Sequence, residues 1–277
     1  MRLGGKVTPA AATPQAWVAA VQAKGYRAAY APVGPEADAV TIEAYRRAAA
    51  DADIVIAEVG AWSNPIATDP AIRAAALEKC IVSLRLADAL GARCCVNIAG
   101  SRSERWAGPH PENVSQETFA LIVESVQTII DAVQPQNTFY TLETMPWIFP
   151  DSTASYQALL HAIDRDAFAV HFDPVNMINS PTRYFRNGEL IREFVDELRP
   201  YIRSVHLKDI LLHDQLTVHL DEVRPGEGAL RIDLLLRELQ TLDPDLPVML
   251  EHLPDDAAYD LAAAHVRQVA AQEGIGL

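Results

Sequence analysis

Along this chain, short apolar runs alternate with longer stretches in which apolar positions recur every three or four residues. The short runs are 2–7 (RLGGKV), 26–33, 53–59 (DIVIAEV), 92–99, 138–143 (TFYTLE), 167–173 (AFAVHFD), 202–209 (IRSVHLKD) and 246–252 (LPVMLEH). Several are apolar nearly throughout, the pattern of parallel strands covered on both faces. Between them the spacing predicts helices. One spans 13–25, opening Thr-Pro and closing in Gly. Another spans 69–92, with Leu77, Ile81, Leu84 and Leu90 along one face, and others cover 115–133 and 233–242. Eight strand–helix units imply an α/β chain folded as a single (β/α)8 TIM barrel over residues 1–277. An open doubly wound sheet is the competing arrangement, but the chain has neither GxGxxG nor a P-loop.

Barrel chemistry gathers at the C-terminal strand ends. In the second half of the chain those ends carry Glu143, Asp173, His206 and Glu251, separated by 30, 33 and 45 residues, about one βα unit per step. Taken singly, an acidic residue there is more often a cap, and a histidine in an apolar run more often a core residue. Four on four consecutive strands form a pattern. Three carboxylates and an imidazole on one rim repel each other without a cation, and oxygen-rich ligands with one histidine suit Mn²⁺, Mg²⁺ or Co²⁺. Glu143, Asp173, His206 and Glu251 are therefore the expected ligands, with Mn²⁺ the first choice.

The segments TLE, HFDPVN, SVHLKD, EVRPGEG and PVMLEHL within 138–253 resemble the xylose isomerase-like sugar isomerase/epimerase superfamily, which includes the D-tagatose 3-epimerase group and the distantly related AP endonuclease family 2. The resemblance implies one divalent ion on those four residues. It also implies that Glu143 and Glu251 are catalytic, as acid and base on opposite faces of a sugar, that Arg224 contacts substrate, and that the protein is a homo-oligomer, a dimer or tetramer. Its ketose 3-epimerases carry a histidine three residues after the Asp ligand. This chain has Asn176 there, which hydrogen-bonds a hydroxyl but does not titrate.

Other positions around the rim carry weaker signals. Lys208 is open to two accounts, neutralising an anionic intermediate or substrate group, or pairing with Asp209. Glu58, Trp62 and Trp147 follow strands three and five and are candidates to line a sugar pocket. Asn97 is a candidate for hydroxyl recognition. His171 points to the side of Asp173 one layer deeper, as a core residue or a support for the site, and His252 is expected on the opposite face from Glu251. The loop 100–115 is long enough to be a lid. His219 and Glu222 either close over the substrate or belong to a solvated hairpin.

Composition narrows the function. Of 277 residues 49% are hydrophobic, and the formal net charge is −14, with no extended basic run, so nucleic acid is an unexpected partner. No apolar stretch approaches a membrane span. Pro9 and Pro14 interrupt the start of the chain, which lacks the apolar core of a signal peptide. Three cysteines without a CxxC pair read as free thiols of a cytoplasmic protein. The expected activity is that of a metal-dependent isomerase or epimerase of a small-molecule carbohydrate, a keto sugar or related polyol, working through an enediolate. The alternative is a lyase on the same site, an inosose-type dehydratase or keto-glycoside cleavage. Less expected are a nuclease and a non-catalytic sugar-binding barrel.

Overall fold

The computed structural model describes residues 1–7 and 13–277, so Pro9 lies outside the described residues. Among the described residues, eight parallel strands close into a barrel: β1 (Arg2–Gly5), β2 (Ala28–Tyr30), β3 (Val55–Gly60), β4 (Cys94–Asn97), β5 (Tyr140–Glu143), β6 (Phe168–Phe172), β7 (Ile202–Leu207) and β10 (Pro247–Leu250). Around the barrel the order is β1-β10-β7-β6-β5-β4-β3-β2. The predicted (β/α)8 architecture is the observed one. Two strands, β8 (Asp209–His213) and β9 (His219–Val223), form a separate antiparallel hairpin within the connection that leads to β10. The apolar run 202–209 therefore breaks at Lys208 and continues as hairpin.

The helices start and stop where their caps dictate. Thr13 Oγ1 accepts from the Ala16 amide ahead of α1 (Pro14–Ala23), and Asp69 caps α3 (Pro70–Leu90), which ends at Gly91 with φ 66°. Ser115 opens α4 (Gln116–Val133) by accepting from the Thr118 amide. In α3 the buried face includes Leu84 and Leu90, while Leu77 and Ile81 are half-buried against it. The remaining helices are α2 (Ala39–Asp51), α5 (Thr153–Ile163), α6 (Pro174–Met177), α7 (Pro181–Phe185), α8 (Asn187–Leu198), α9 (Ile232–Leu239) and α10 (Asp256–Gln272). Leu142, Phe172, Val205 and Leu250 pack outward from the strands into one continuous apolar layer with Ile129, Phe194 and Leu235 of the helices. Burial of this layer is the main source of stability. Among the described residues no helix is long and apolar enough to cross a membrane, and Cys80, Cys94 and Cys95 are buried free thiols.

Two places depart from regular pairing, and both position the interior. Ala29 pairs with Ile56 but Tyr30 with Glu58, so Ala57 is an extra residue in β3. Likewise Val170 pairs with Ile202 but His171 with Ser204, leaving Arg203 extra in β7. Such bulges re-aim the side chains that follow them.

Asp209 fixes the segment after the hairpin. Its carboxylate, 2% exposed, accepts from the amides of Ile210 (2.9 Å), Leu230 (2.8 Å), Gly226 (2.9 Å) and Gly228 (3.0 Å). The backbone comes so close that a Cβ on Gly228 would lie 2.3 Å from the Ile210 carbonyl oxygen, and Gly226 has φ 97°. This commitment leaves Asp209 no role as the partner of Lys208. Asp209→Asn retains the volume but puts an amide against backbone donors, and should lower unfolding free energy by roughly 2–4 kcal/mol in urea denaturation. An unchanged midpoint would show that the turn holds itself.

Candidate metal centre

Glu143 ends β5, Asp173 follows β6, His206 lies in β7 and Glu251 follows β10. These four strands are consecutive neighbours around the barrel. Thr144 Oγ1 donates to the Asp173 carbonyl (2.8 Å) and accepts from the Asp173 amide (3.1 Å), tying the first two ends together. One ligand-type atom from each of the four lies within 4.8 Å of the others, and all four residues are buried. His206 Nδ1 is 3.1 Å from Glu143 Oε1 and 3.0 Å from Glu251 Oε1.

Lys208, two residues beyond His206 and on the same side of the chain, enters this cluster. Its ammonium is 2.6 Å from both Asp173 Oδ2 and Glu251 Oε1, 3.4 Å from Glu222 Oε2 and 3.9 Å from Glu143 Oε1, with the side chain 1% exposed. Burial opposes its charge, but Asp173, Glu251 and Glu143 outweigh that and hold its pKa well above the ordinary value. Burial pushes Asp173 up to about 7, against Lys208 and with Glu143 and Glu251 adding to the rise. Burial also opposes the charges of Glu143 and Glu251, yet His206 is the larger opposing influence on each and both are lowered. For His206 the order is the same: burial disfavours the charged ring, and Glu251, Glu58 and Glu143 together raise it well above normal.

The donor set fits a divalent cation. Three carboxylates, with Glu58 beneath them, outnumber the Lys208 ammonium and the charged His206 ring and leave excess negative charge in a dry site, and buried ions without compensation cost several kcal/mol. Asp173 Oδ2, Glu251 Oε1 and Lys208 Nζ touch as charges but have no well-directed hydrogen bond. Their polar capacity is thus unspent by the protein. Three carboxylate oxygens and one imidazole nitrogen suit Mg²⁺ or Mn²⁺.

Beneath the cluster lies a second polar layer. Glu58, 1% exposed, accepts from Ser204 Oγ (2.6 Å) at Oε1, which also meets His171 Nε2 (3.2 Å), while its Oε2 meets His206 Nε2 (3.2 Å). Burial alone would raise Glu58, but His206 and His171 reverse this and hold it far below the usual carboxylate range. It is ionised and acts as an acceptor only.

The remaining sequence-predicted positions fall in different places. Glu58, expected at the substrate, faces His206 from the barrel interior, because the Ala57 bulge turns it inward. Asn176 donates from Nδ2 to Glu143 Oε1 (3.1 Å), and its amide is capped by Asp173 Oδ1. Trp62 is 37% exposed, with its ring centroid 6.5 Å from that of His206, and it rests on Gly60, where a Cβ would lie 2.1 Å from the indole nitrogen. Trp147 donates to the Ala107 carbonyl (2.9 Å), and Arg224 pairs with Glu227 (2.8 Å), so neither side chain is tied to the four-residue cluster. Asn97 is fully buried and clamps Ser63 through its amide and carbonyl, which gives it a loop to hold in place of a hydroxyl to recognise. The segment 100–115 is folded on itself, with Ser101 bonded to Gly108 and Asn113, and contains a short 3-10 helix at Pro111–Val114.

His252 corrects the expectation based on strand alternation. β10 stops at Leu250, His252 has φ 56°, and its ring swings to the mouth, with Nδ1 3.1 Å from Glu222 Oε1 and Nε2 3.5 Å from Glu251 Oε2. The hairpin account holds for β8 and β9, yet Glu222 still reaches Lys208 from it. Ser204 escaped the sequence reading, although its position two residues before His206 places it on the same face.

The family model of the xylose isomerase-like TIM barrel matches residues 18–269. No curated relative matches the sequence. Among solved structures, the chain is similar to the probable 3-DHS dehydratase AsbF of Bacillus anthracis, at 17% identity and TM-score 0.72, covering 98% of this chain and 99% of that one. It is similar to D-psicose 3-epimerase of Clostridium cellulolyticum H10, at 15% identity, TM-score 0.70 and full coverage of both chains. It is also similar to a xylose isomerase-like TIM barrel protein of Mycobacterium smegmatis in complex with magnesium, at 15% identity and TM-score 0.67, covering 98% and 96%. At these identities the likeness is one of fold.

Lys208→Met removes the ammonium and leaves the buried carboxylates facing each other. In the presence of a chelator the variant should lose about 3–5 kcal/mol of unfolding free energy, and added Mn²⁺ should restore most of it. Loss below about 1 kcal/mol, the range of exposed pairs, would show that these charges are hydrated.

Proposed function

The chain belongs to the xylose isomerase-like TIM-barrel family, and from that membership we propose that it is a divalent-metal-dependent isomerase or epimerase of a keto sugar or related polyol. The observation that carries the reading is the buried meeting of Glu143, Asp173, His206 and Glu251 at the ends of four adjacent strands. These residues would hold the ion, Mn²⁺ or alternatively Mg²⁺ or Co²⁺, which when bound supplies a Lewis acid for charge developing on a carbonyl oxygen.

The protein's own groups account for the proton movements. Either Glu143 or Glu251, both held below the usual carboxylate range, can take the proton next to a carbonyl, while the other, having first taken a proton from water, returns that proton on the opposite face. Asn176 orients Glu143 through its amide. Lys208 sits against Glu251 and can steady a developing enediolate oxygen by its charge. Trp62 offers an aromatic wall beside His206 for a sugar face, with Trp147 and Arg224 as further candidates to contact the substrate. The buried free thiols suit a reducing cytoplasm.

A second reading, a lyase on the same site, draws on Lys208. An ammonium 2.6 Å from Glu251 can donate a proton to a departing hydroxyl, which a simple stereochemical inversion does not require. Product mass separates the two: an isomerase or epimerase conserves it, whereas a dehydratase loses water.

Incubating Mn²⁺-loaded protein with ketoses, keto-glycosides and inososes should give a mass-neutral product. Glu143→Gln and Glu251→Gln should each lower kcat by about 10²–10⁴-fold. Retained turnover in both variants would remove the Glu pair from the chemistry, and a product lighter by water would move the activity to the lyases.

A further inference from the structure

The carboxylate of Glu58 crosses the barrel. β3, which carries it, stands four steps from β7 in either direction around the closed sheet, yet Glu58 is bonded to Ser204 and His206 of β7 and to His171 of β6. This reach follows from the bulge at Ala57, which turns Glu58 into the interior. That layer is closed to solvent: Glu58, His171, Ser204 and His206 are all at most 1% exposed.

The consequence is a fixed imidazole. Glu58 Oε1 already accepts from Ser204, and its Oε2 lies 3.2 Å from His206 Nε2, where the ring nitrogen donates to it. The other ring nitrogen faces Glu143 Oε1 and Glu251 Oε1, which hold a second hydrogen on it until a cation displaces that proton. Ser204 and His171 hold the opposite oxygen of Glu58, so the carboxylate cannot rotate away.

We propose that Glu58 is the positioning residue of the metal centre, fixing the tautomer and orientation of His206 so that Nδ1 faces the ion. The assignment rests on the metal-dependent reading of the site. It replaces a substrate-facing role for Glu58 with one exerted through a ligand, the arrangement by which an outer carboxylate orients a metal-bound histidine and strengthens it as a donor.

The test compares full-length wild-type protein with Glu58→Gln, with circular dichroism confirming the fold. Nitrogen NMR of histidine-labelled, chelator-treated protein reads the His206 ring, and calorimetric titration with MnCl₂ reads affinity. The wild type should show a slowly exchanging proton on His206 Nε2. Glu58→Gln should lose that protection and bind Mn²⁺ about 10- to 100-fold more weakly. Ser204→Ala, which removes a single bond to Glu58, should show a smaller loss in the same direction and serves if Glu58→Gln does not fold. A wild-type ring without a proton on Nε2, or folded variants that bind Mn²⁺ within twofold of wild type, would overturn the assignment. Wild-type protein that binds no Mn²⁺ but loses Nε2 protection in Glu58→Gln would sink the metal-dependent function and leave the hold on His206 standing.

Discussion

The structure is organised by the problem of keeping three carboxylates together out of water. Glu143, Asp173 and Glu251 are brought to one point by a closed sheet, and a closed sheet has little freedom to let them part. Their repulsion is offset by positive groups set on β7 and just beyond it: His206 beneath, and the ammonium of Lys208 between Asp173 and Glu251. Breaking such a buried arrangement costs far more than making it gains, because a charge left alone in a dry interior has no other partner. The rest of the barrel mouth follows. Thr144 ties the ends of two strands, Asn176 holds Glu143, and the hairpin brings Glu222 to the outer side of Lys208.

Two polar layers thus occupy the upper barrel with different tasks. The outer layer is rich in oxygen and carries excess negative charge, so it attracts a cation. The inner layer is saturated at Glu58, whose two oxygens meet three partners, so it holds geometry. His206 belongs to both, with one nitrogen in each. A ring shared in this way transmits the shape of the barrel to the ligand set, and the bulges in β3 and β7 matter to the site although no ligand atom lies on either extra residue.

The sequence made the barrel legible because its strands announce themselves as unbroken apolar runs and its helices through their caps. The meeting of Glu143, Asp173, His206 and Glu251 was legible for a related reason: in a parallel barrel, the residue that ends each run lands on one rim, so chain spacing translates into spatial order. What the chain pattern does not carry is register. Glu58 follows an ordinary strand alternation in sequence, and only the extra residue at Ala57 decides that it turns toward His206. His252 shows the same limit, since alternation holds only while the strand lasts and β10 ends two residues earlier. Lys208 was readable as a charge near the site, but Asp209 was the obvious partner in sequence. Four backbone amides had already claimed Asp209.

That competition for Asp209 links the hairpin to the chemistry. Asp209 is committed to the turn around Gly226 and Gly228, while Lys208, on the same side of the chain as His206, turns inward, where carboxylates are abundant. The turn that closes the hairpin therefore helps to determine the charge at the rim. Four backbone amides occupy a carboxylate that would otherwise compete for the ammonium. Both proposed chemistries draw on the same ammonium, by its charge beside a developing enediolate or as an acid toward a leaving hydroxyl. On this argument the polar turn after β9 belongs to the functional unit as much as the strand ends do.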